Sequence, residues 1–367
     1  MKIVFGIPAL DYSGAPKMMS WVANRMAERG HDVKIVSYFS DECAVKLEAG
    51  VEFYPLGLKR SGSRLVRNTF GMVQALCKLD KYVKSQKTDV FVTFLDSVGM
   101  SYLPIAERRC FAVASERADP YSYRSGTRKM RISLIGAANK VIFQTDGARD
   151  YFKSNNKIYG KSSVIPNPVV LKDSVKEFRN NIPDFSSRDN RVVTVGRLSL
   201  IQKRQDVLID AFELVHKKHP ELELVIYGDG QDKSKIQDII DNKGLSDCIT
   251  LAGKISDVEK TIFNARVFVL SSDLEGIPNA LIEAMSVGVP SVSTDCSPGG
   301  ARLLINDGEN GYIVPRADAA ALANRICELA ENKDISEKIS NNSIQIAEIF
   351  TEEKIADMWE KEILRNA

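Results

Sequence analysis

The chain has 367 residues, a length that fits two domains of ordinary size rather than one. With 44% hydrophobic and 27% charged residues it has the composition of a globular protein, and no apolar run approaches the roughly 18 residues of a membrane span. The net charge is +2, but it is unevenly distributed: residues 1–173 carry 27 Lys and Arg against 16 Asp and Glu, whereas residues 174–367 carry 23 against 32. The basic excess of the first half predicts an anionic partner for it.

The chain opens on a short apolar segment, residues 2–7, that is predicted to be a buried strand. Gly6 and Pro8 interrupt the apolar run and Asp11 stops it, so it lacks the continuous apolar core of a secretory signal. The six cysteines lie at least 31 residues apart, which excludes a C-x-x-C redox pair and a zinc knuckle. We therefore expect a reduced, cytoplasmic environment.

Strand-like and helical segments alternate through the first half. Strands are predicted at residues 2–7, 33–37, 51–54, 89–94, 110–114 and 141–144, and the first helix at 15–29. This alternation indicates βαβ units around a mostly parallel sheet, in a Rossmann-like domain. The first strand is not followed by G-x-G-x-x-G, so an NAD or FAD site is not expected. Gly14, just before the first helix, marks either a plain turn or a close approach of the backbone to a phosphate.

Two segments of the first half are strongly basic. Residues 57–87 carry eight Lys and Arg against one acid, around an apolar stripe formed by Leu65, Thr69, Met72, Leu76 and Val83. The stripe indicates either a helix packed on its own sheet or a peripheral helix on anionic lipid. The second set is Arg117, Arg124, Arg128, Lys129 and Arg131, interleaved with Tyr121 and Tyr123. No nucleic-acid-binding signature accompanies it, so nucleic acid is not an expected partner.

Residues 164–190 are predicted to link two domains, because proline and paired polar residues interrupt both periodicities. A second αβ series follows, with strands predicted at 192–195, 223–227, 249–251, 267–270, 291–293 and 312–314. A last helix is predicted at 352–364, and we expect its apolar face to pack on the first domain. That face consists of Ile355, Met358, Trp359 and Ile363.

Glycines and cations follow several strands of the second series. The glycines are Gly196, Gly228 and Gly230, and the cations are Arg197, Lys203 and Lys254. The apolar Ile255 directly follows Lys254. Arg197 and Lys203 suit a diphosphate held without a metal, although either one alone is usual in a surface loop. Because the carboxyl ends of parallel strands share one edge of a sheet, the set outlines a nucleotide site.

Glu275 and Glu283 lie eight residues apart, the first in the loop after a buried strand and the second in a helix predicted to start near Pro278. A helix N-terminus at a strand end binds anions in α/β proteins. Carboxylates at that place suit the hydroxyls of a sugar or a ribose. The alternative is that both are ordinary acids of a first helical turn.

Together these motifs resemble the retaining glycosyltransferases of family 4, which have the GT-B fold: two Rossmann-like domains whose parallel sheets face each other across a cleft. The resemblance is carried by V-G-R-L at 195–198 with Lys203, G-D-G at 228–230, A-G-K-I at 252–255, the block 271–295, and E-N-G-Y-I-V-P at 309–315. It covers nearly the whole chain. It implies an acceptor-binding domain at 1–168, with the helix 350–367 packed back on it, and a nucleotide-sugar-binding domain at 190–349.

The resemblance also implies roles for single residues. Glu275 would contact the hydroxyls of the donor sugar, and Glu283 the ribose. Arg197 and Lys203 would hold the diphosphate, while Lys254 and Ile255 would line the base pocket. Backbone groups would complete the donor site at Gly14, Gly196, Gly228, Gly230, Gly276, Ile277, Pro278 and Asn279.

The implied reaction moves a hexose-type sugar from a nucleotide sugar, UDP being the expected nucleotide, to a lipid-linked saccharide in bacterial polysaccharide or glycan biosynthesis, with retention of configuration. No D-x-D carboxylate pair is present, so neither a metal nor another cofactor is expected. Fixed cations and amides would stabilise the departing diphosphate. The expected location is cytoplasmic, peripheral on the inner face of the cell membrane, in contact with anionic lipid.

The chain departs from the family in one respect. Many relatives carry a histidine in the first-domain cleft, but only His31, His216 and His219 are present here and all three look structural. At the corresponding place the sequence reads S-E-R-A-D-P, similar to the S-E-R-x-x-P of a subgroup from bacterial surface-polysaccharide assembly. Glu116, with Arg117, is predicted there as a sugar or acceptor contact, or as an ion pair at a strand end.

Two other functions fit the same features. One is a nucleotide-sugar epimerase or a phosphorylase on the same scaffold, because a fold does not determine a reaction. The other is a non-catalytic sugar-nucleotide-binding partner of another transferase.

Overall fold

The structure is a computed structural model that describes residues 1–58, 64–170 and 173–364, with the backbone alone at 64–70 and 173–174. The chain divides into two compact units. The first consists of Met1–Asn167 and Glu353–Ala367, and the second of Pro168–Glu352.

The first unit is built on a parallel sheet of seven strands. They are β1 (Lys2–Ile7), β2 (Asp32–Ser37), β3 (Val51–Pro55), β4 (Val90–Thr93), β5 (Phe111–Glu116), β6 (Lys140–Phe143) and β7 (Ser162–Val164). Their order in the sheet is β3-β2-β1-β4-β5-β6-β7, so the strand order reverses between β1 and β4. The central strands are continuous apolar runs, and all four residues of β4 are buried, as in sheets covered by helices on both faces. Strand β7 was not predicted from the sequence.

Six α-helices accompany these strands among the described residues before Asn167. They are α1 (Gly14–Glu28), α2 (Arg64–Ser85), α3 (Ser97–Ala106), α4 (Ser125–Ile135), α5 (Asp146–Asp150) and α6 (Asn156–Tyr159). Helix α1 has no accessible surface at Met19, Val22 and Met26, three residues spaced along one helical face. Burial of that stripe explains why this segment is a helix packed on the sheet.

The basic segment around α2 has its apolar face covered. Val83 is buried, and Met72 and Leu76 pack against the same core cluster. This supports the first of the two interpretations of the stripe, a helix packed on its own sheet. Lys59 and Arg60, and the side chains of Arg64, Leu65, Arg67 and Thr69, lie outside the described residues.

The second unit has a parallel sheet of six strands. They are β8 (Asp189–Val195), β9 (Glu223–Tyr227), β10 (Ile249–Gly253), β11 (Ala265–Leu270), β12 (Ser291–Thr294) and β13 (Tyr312–Val314). Their order is β10-β9-β8-β11-β12-β13. The predicted α/β class with two parallel sheets is confirmed.

Over the described residues of the second unit, nine α-helices are present. They are α7 (Asp173–Asn180), α8 (Gln205–Lys218), α9 (Lys233–Asn242), α10 (Val258–Ile262), α11 (Asn279–Ser286), α12 (Gly300–Leu304), α13 (Ala319–Glu331), α14 (Lys333–Ser343) and α15 (Ile346–Ile349). Helices α8 and α13 pack against each other. The core cluster of this unit includes Phe212 and Val215 of α8 and Ile326 and Leu329 of α13.

The predicted linker is shorter than the sequence suggested. Residues 168–190 belong to the second unit and include α7. Arg188, in this stretch, is 4% exposed and donates to the backbone oxygens of Gly288 at 2.8 Å and Ala265 at 3.1 Å. Arg188 is therefore fixed by hydrogen bonds within the second unit, although most of the side chains described at 175–187 are exposed or half-buried.

The last helix, α16 (Glu352–Leu364), contributes to the first unit. Trp359 is buried and its ring stacks on that of Phe94, with 5.9 Å between centroids. Arg29 contacts the carboxylates of Glu353 and Asp357 at 2.6 Å each. On the predicted apolar face Ile355, Trp359 and Ile363 are buried, whereas Met358 is half-buried.

Candidate functional site

In the second sheet the strand order reverses between β8 and β11, which lie side by side. Ligands of open α/β sheets bind outside the carboxyl ends of the strands at such a point. Two loops leave it, residues 196–204 after β8 and 271–278 after β11. The predicted Arg197 and Lys203 lie on the first loop, and Glu275 lies on the second.

Several interactions hold these two loops together. The hydroxyl of Ser271 donates to the backbone oxygen of Lys203 at 2.8 Å. The amide of Asp273 donates to the backbone oxygen of Gln202 at 2.9 Å, and its carboxylate contacts the guanidinium of Arg204 at 2.7 Å. The loops therefore form one surface at the carboxyl edge of the sheet.

Glu275 is only 8% exposed, and one oxygen of its carboxylate has two partners. This oxygen accepts hydrogen bonds from the Nζ of Lys203 and, at 2.7 Å, from the hydroxyl of Ser272. A buried carboxylate requires such partners, because removing a charge from water is costly. The structure thus pairs the predicted diphosphate cation with the predicted sugar contact.

Ser272 is a residue that the sequence analysis did not single out. It has no accessible surface, and its backbone oxygen accepts from the hydroxyl of Thr294 at 2.5 Å. Thr294 ends β12, so a third strand supports the loop that carries Glu275. The only sequence signal was a pair of serines after a strand, which is common in loops of any function.

Arg197 differs from Lys203 in being exposed. Its backbone oxygen accepts from the side-chain amide of Gln205, at the start of α8, at 2.9 Å. Among the residues that the structure describes, none hydrogen-bonds to the guanidinium of Arg197 or forms an ion pair with it. One of the two predicted cations is therefore engaged, and the other faces solvent.

The glycines after β9 pack against the loop after β8. Gly228 has a φ of 138°, and a Cβ on it would overlap the backbone oxygen of Gly196. A Cβ on Gly230 would likewise overlap the backbone oxygen of Leu198. The sequence analysis attributed these glycines to the approach of a ligand, whereas the structure shows that a neighbouring backbone occupies the space.

Helix α11 begins one residue later than predicted. Pro278 is the N-cap residue, with ψ of 99°, and Asn279 is the first helical residue. Ile277 is buried, and Gly276 is half-buried with its backbone oxygen against Gly300, where a Cβ would overlap it.

Glu283 lies half-buried in the second turn of α11. The two predicted glutamates therefore both lie near the N-terminal end of this helix, Glu275 in the loop that precedes it and Glu283 within it. The partial positive charge of that helix end favours anions and acidic side chains.

Lys254 and Ile255 follow β10, two strands away from β8. The side chain of Lys254 is 79% exposed, and its Nζ lies 3.8 Å from the carboxylate of Asp229. Ion pairs at such exposure contribute little to stability. Ile255 is half-buried, and both residues follow β10 at the carboxyl edge of the sheet.

In the first unit a cavity of about 440 Å³ opens where the strand order reverses between β1 and β4. Gly14 is exposed at the start of α1, between two residues that line this cavity, Ser13 and Ala15. Asp96 also lines it and caps α3, accepting from the amides of Val98 at 2.9 Å and Gly99 at 3.0 Å. Burial raises the pKa of Asp96 to about 6.

Glu116 ends β5 and is 3% exposed. Its carboxylate accepts from the hydroxyl of Tyr123 and from the amide of Ala118 at 3.0 Å, and it lies 3.6 Å from the guanidinium of Arg131. Burial raises the pKa of Glu116 to about 7.

The neighbouring Arg117 also has side-chain contacts. Its guanidinium donates to Asn167 and lies 5.2 Å from the ring centroid of Phe94. Burial lowers the pKa of Arg117 to about 9. Each of the two residues thus has partners of its own.

Residues 175–346 match the model of the family described as Glycosyl transferases group 1. This region belongs to the group 1 glycosyl transferases. It contains the loops after β8 and β11 with Arg197, Lys203, Glu275 and Glu283, whereas Glu116 lies outside it.

Relatives that cover the whole chain carry related descriptions. The chain is 25% identical over 98% of its length, and 98% of the relative, to the Campylobacter jejuni GalNAc-alpha-(1->4)-GalNAc-alpha-(1->3)-diNAcBac-PP-undecaprenol alpha-1,4-N-acetyl-D-galactosaminyltransferase. It is 23% identical to the amylovoran biosynthesis glycosyltransferase of Erwinia amylovora, with 98% of each chain covered.

Solved structures share the fold of this chain. HepE of Anabaena, solved in complex with UDP and glucose, has a TM-score of 0.77 to this chain at 19% identity, with 100% of each chain covered. At this identity the likeness concerns the fold, and it confirms the predicted GT-B fold. Over the described ranges, none of the helices combines the length and the apolar character that crossing a bilayer demands.

Proposed function

We propose that this chain is a retaining, metal-independent glycosyltransferase that moves a hexose from a nucleotide sugar, with UDP as the nucleotide, to a lipid-linked saccharide in bacterial polysaccharide or glycan biosynthesis. The observation that carries the proposal is the pairing of half-buried Lys203 with buried Glu275 beside the solvent-facing Arg197, at the reversal point of the second sheet. The family of residues 175–346 supports glycosyl transfer. The UDP bound to HepE supports the donor class, and the undecaprenol-linked saccharide in the name of the Campylobacter jejuni relative supports the acceptor class.

The pair supplies both halves of a donor site. A diphosphate arriving at Arg197 attracts the ammonium of Lys203, whose four-carbon stem allows it to turn. The shared oxygen of Glu275 then loses one donor and becomes free to accept from a sugar hydroxyl. Glu283 and the backbone at Gly276–Asn279 bind the ribose and the phosphates, and Lys254 and Ile255 contact the base.

In the transfer step the bond between the anomeric carbon and the diphosphate oxygen breaks, and the acceptor hydroxyl forms its bond on the same face. The departing diphosphate carries away the electron pair and takes the acceptor proton. Arg197 and Lys203 stabilise its charge, so no metal is required. No enzyme nucleophile is assigned. Burial and the charge of Glu275 raise the pKa of the nearby Cys296 to about 12, so this thiol stays protonated.

The first unit is proposed to bind the acceptor and the membrane surface. Its described residues include exposed basic side chains around α4, at Arg124, Arg128 and Lys129. Tyr121 is 58% exposed and Met130 is 56% exposed in the same region. Exposed basic side chains with an aromatic and an apolar neighbour suit an anionic lipid surface. Glu116 stays a predicted sugar or acceptor contact.

The donor proposal is tested with a panel of nucleotide sugars. We expect one UDP-hexose to raise the Tm of the full chain, because a ligand that binds only the folded state stabilises it. With a lipid-linked saccharide added, the product should carry an α linkage from an α donor, seen in the anomeric proton coupling, and a chelator should leave the rate unchanged. An inverted product or a rate abolished by chelation would contradict the mechanism.

The same panel distinguishes the alternatives. Incubated without acceptor, an epimerase converts the nucleotide sugar itself, and a phosphorylase consumes it only when inorganic phosphate is present. A non-catalytic binding partner shows the Tm increase but no product with any acceptor. Each of these outcomes would overturn the transferase assignment.

The membrane proposal is tested by sedimentation with vesicles. The full chain should bind vesicles of phosphatidylglycerol at low salt and be released at high salt. Reversing the charges of Arg124, Arg128 and Lys129 to Glu should weaken binding roughly 100-fold, since each basic side chain near such a surface contributes about 1 kcal/mol.

The matched control reverses Lys81 and Lys84 on α2 and Lys87 just after it, the same change of charge beside a helix whose residues Met72, Leu76 and Val83 pack on the core. Equal effects of the two triple variants would remove α4 as the contact surface. Equal binding to neutral phosphatidylcholine vesicles would remove the anionic lipid.

A further inference from the structure

Three potential metal ligands converge at the end of α8 that is remote from the donor site. They are the imidazole of His219, the thiol of Cys327 and the carboxylate of Glu331, whose ligand atoms all lie within 4.8 Å of one another. Helix α8 begins at the donor-site loop and extends over 14 residues, or about 21 Å, before it reaches His219. The cluster therefore lies at the opposite edge of the second sheet.

The spacing of the three residues suits a site shared by two helices. Cys327 and Glu331 are four residues apart in the last turns of α13, so they lie on one face of that helix. His219 is the residue that ends α8, which packs against α13. Two ligands from one helix and a third from its neighbour can fill three positions of a tetrahedral ion, leaving the fourth to water.

The imidazole of His219 is oriented from both sides. Its Nδ1 lies 3.1 Å from a carboxylate oxygen of Glu221, and its Nε2 lies 2.6 Å from a carboxylate oxygen of Glu331. A carboxylate on one ring nitrogen is the usual support of a metal-bound histidine, because it fixes the ring and directs the other nitrogen at the ion. Glu221 thus has the position of the supporting carboxylate.

The thiol is available to an ion but shielded from bulk solvent. Cys327 is 5% exposed. Burial raises the pKa of this thiol, while the charge of Lys218 acts in the opposite direction. A divalent ion that binds sulfur releases the thiol proton to solvent on coordination.

We propose that His219, Cys327 and Glu331 bind a thiophilic divalent ion of the zinc class, which joins the end of α8 to α13. A set of one imidazole, one thiolate and one carboxylate favours zinc over magnesium or calcium, which take oxygen ligands. The site is structural and separate from the donor site, so it does not conflict with metal-independent transfer. The proposal does not rest on the proposed function.

The first test is a titration of the full chain with Co²⁺. A thiolate ligand gives a charge-transfer band in the near ultraviolet, and we expect one Co²⁺ per chain, displaced by an equivalent of Zn²⁺. Cys327→Ser should abolish the band. The matched control is Cys248→Ser, which removes another buried thiol of the same unit and should leave the band intact.

Exposed thiols are controlled separately, because Cys43 and Cys77 are both accessible. The double variant Cys43→Ser, Cys77→Ser should retain the band. Absence of a band in the wild-type chain, or its persistence in Cys327→Ser, would overturn the proposal.

A second measurement avoids changing the core. Glu221 and Glu331 both have side chains that are 53% exposed, so their Gln variants are expected to fold. Zn²⁺ should raise the Tm of the wild-type chain. Glu221→Gln should weaken Zn²⁺ affinity about 10–100-fold, as expected for a carboxylate that supports a ligand, and Glu331→Gln should weaken it further. Equal Zn²⁺ affinity in both variants and the wild type would refute the assignment.

Discussion

Two buried glutamates at strand ends, Glu275 after β11 and Glu116 at the end of β5, are held in different ways. Glu275 shares one oxygen between the mobile side chain of Lys203 and the hydroxyl of Ser272. Glu116 is held by a tyrosine hydroxyl, a backbone amide and an arginine. Both lie at carboxyl edges of parallel sheets, and both were predicted as site residues.

The two glutamates differ in whether a bound ligand can replace their hydrogen-bond partners. The partner of Glu275 is an ammonium on a flexible stem beside a solvent-facing Arg197, so an arriving diphosphate can take the ammonium away. The hydroxyl and amide on Glu116 belong to Tyr123 and Ala118, within a few residues of it in the chain. We therefore expect the Glu275 network to respond to the donor and the Glu116 network to respond to pH.

Among the variants that test this comparison, Glu275→Gln is expected to cause the largest loss of activity. Turnover should fall by about 100-fold or more, the scale found when a group that stabilises the transition state is removed. The steady-state rate with the nucleotide sugar found in the panel measures this, alongside the Tm of the free chain.

The matched control for this variant is Glu213→Gln, another glutamate in contact with lysines, at 2.8 Å from Lys217 and 2.7 Å from Lys243. It lies on the surface of α8 and should leave turnover unchanged. Turnover of Glu275→Gln equal to that of the control would remove Glu275 from the mechanism.

Arg197→Gln is expected to have an intermediate effect. The ratio kcat/KM should fall about 10–100-fold, because hydrogen bonds to charged groups contribute about 1.5–3 kcal/mol. The Tm of the free chain should stay the same, since no described residue bonds to this guanidinium. Lys333→Gln on α14, which removes one positive charge elsewhere in the unit, is the control. A loss of Tm without a loss of kcat/KM would show that Arg197 is structural.

Glu116→Gln tests the expectation that the Glu116 network responds to pH. A carboxyl whose pKa rises from 4.5 to about 7 on folding favours the folded state fully below pH 4.5, and this contribution is lost as the pH rises through 7. The loss amounts to about 3 kcal/mol. The Tm of the wild type, relative to that of the variant, should therefore fall between pH 4.5 and 7.

Scanning calorimetry of both proteins across this range measures the difference. Asp96, whose pKa is also raised, contributes in the same direction in both and cancels. Parallel Tm profiles of wild type and variant would show that Glu116 does not titrate in this range.

The sequence by itself determined the elements and the loops that carry the site. Alternating apolar runs and helical stripes indicated two parallel sheets, because local periodicity reports which face is buried. The strand ends with Gly196, Arg197, Lys203 and Glu275 were found in the same way. The pattern could not detect β7, which is only three residues long and half-buried throughout.

Only the tertiary structure decided what these residues contact. The pairing of Lys203 with Glu275 joins residues 72 positions apart, because β8 and β11 are neighbours in the sheet although β9 and β10 separate them in sequence. Gly228 faces the backbone of Gly196, and the described stripe residues of α2, Met72, Leu76 and Val83, face the core. The cluster of His219 and Cys327 has no local pattern at all, since it depends on two helix ends meeting. Periodicity along a chain reports burial, whereas side-chain partners are set by which strands and helices become neighbours.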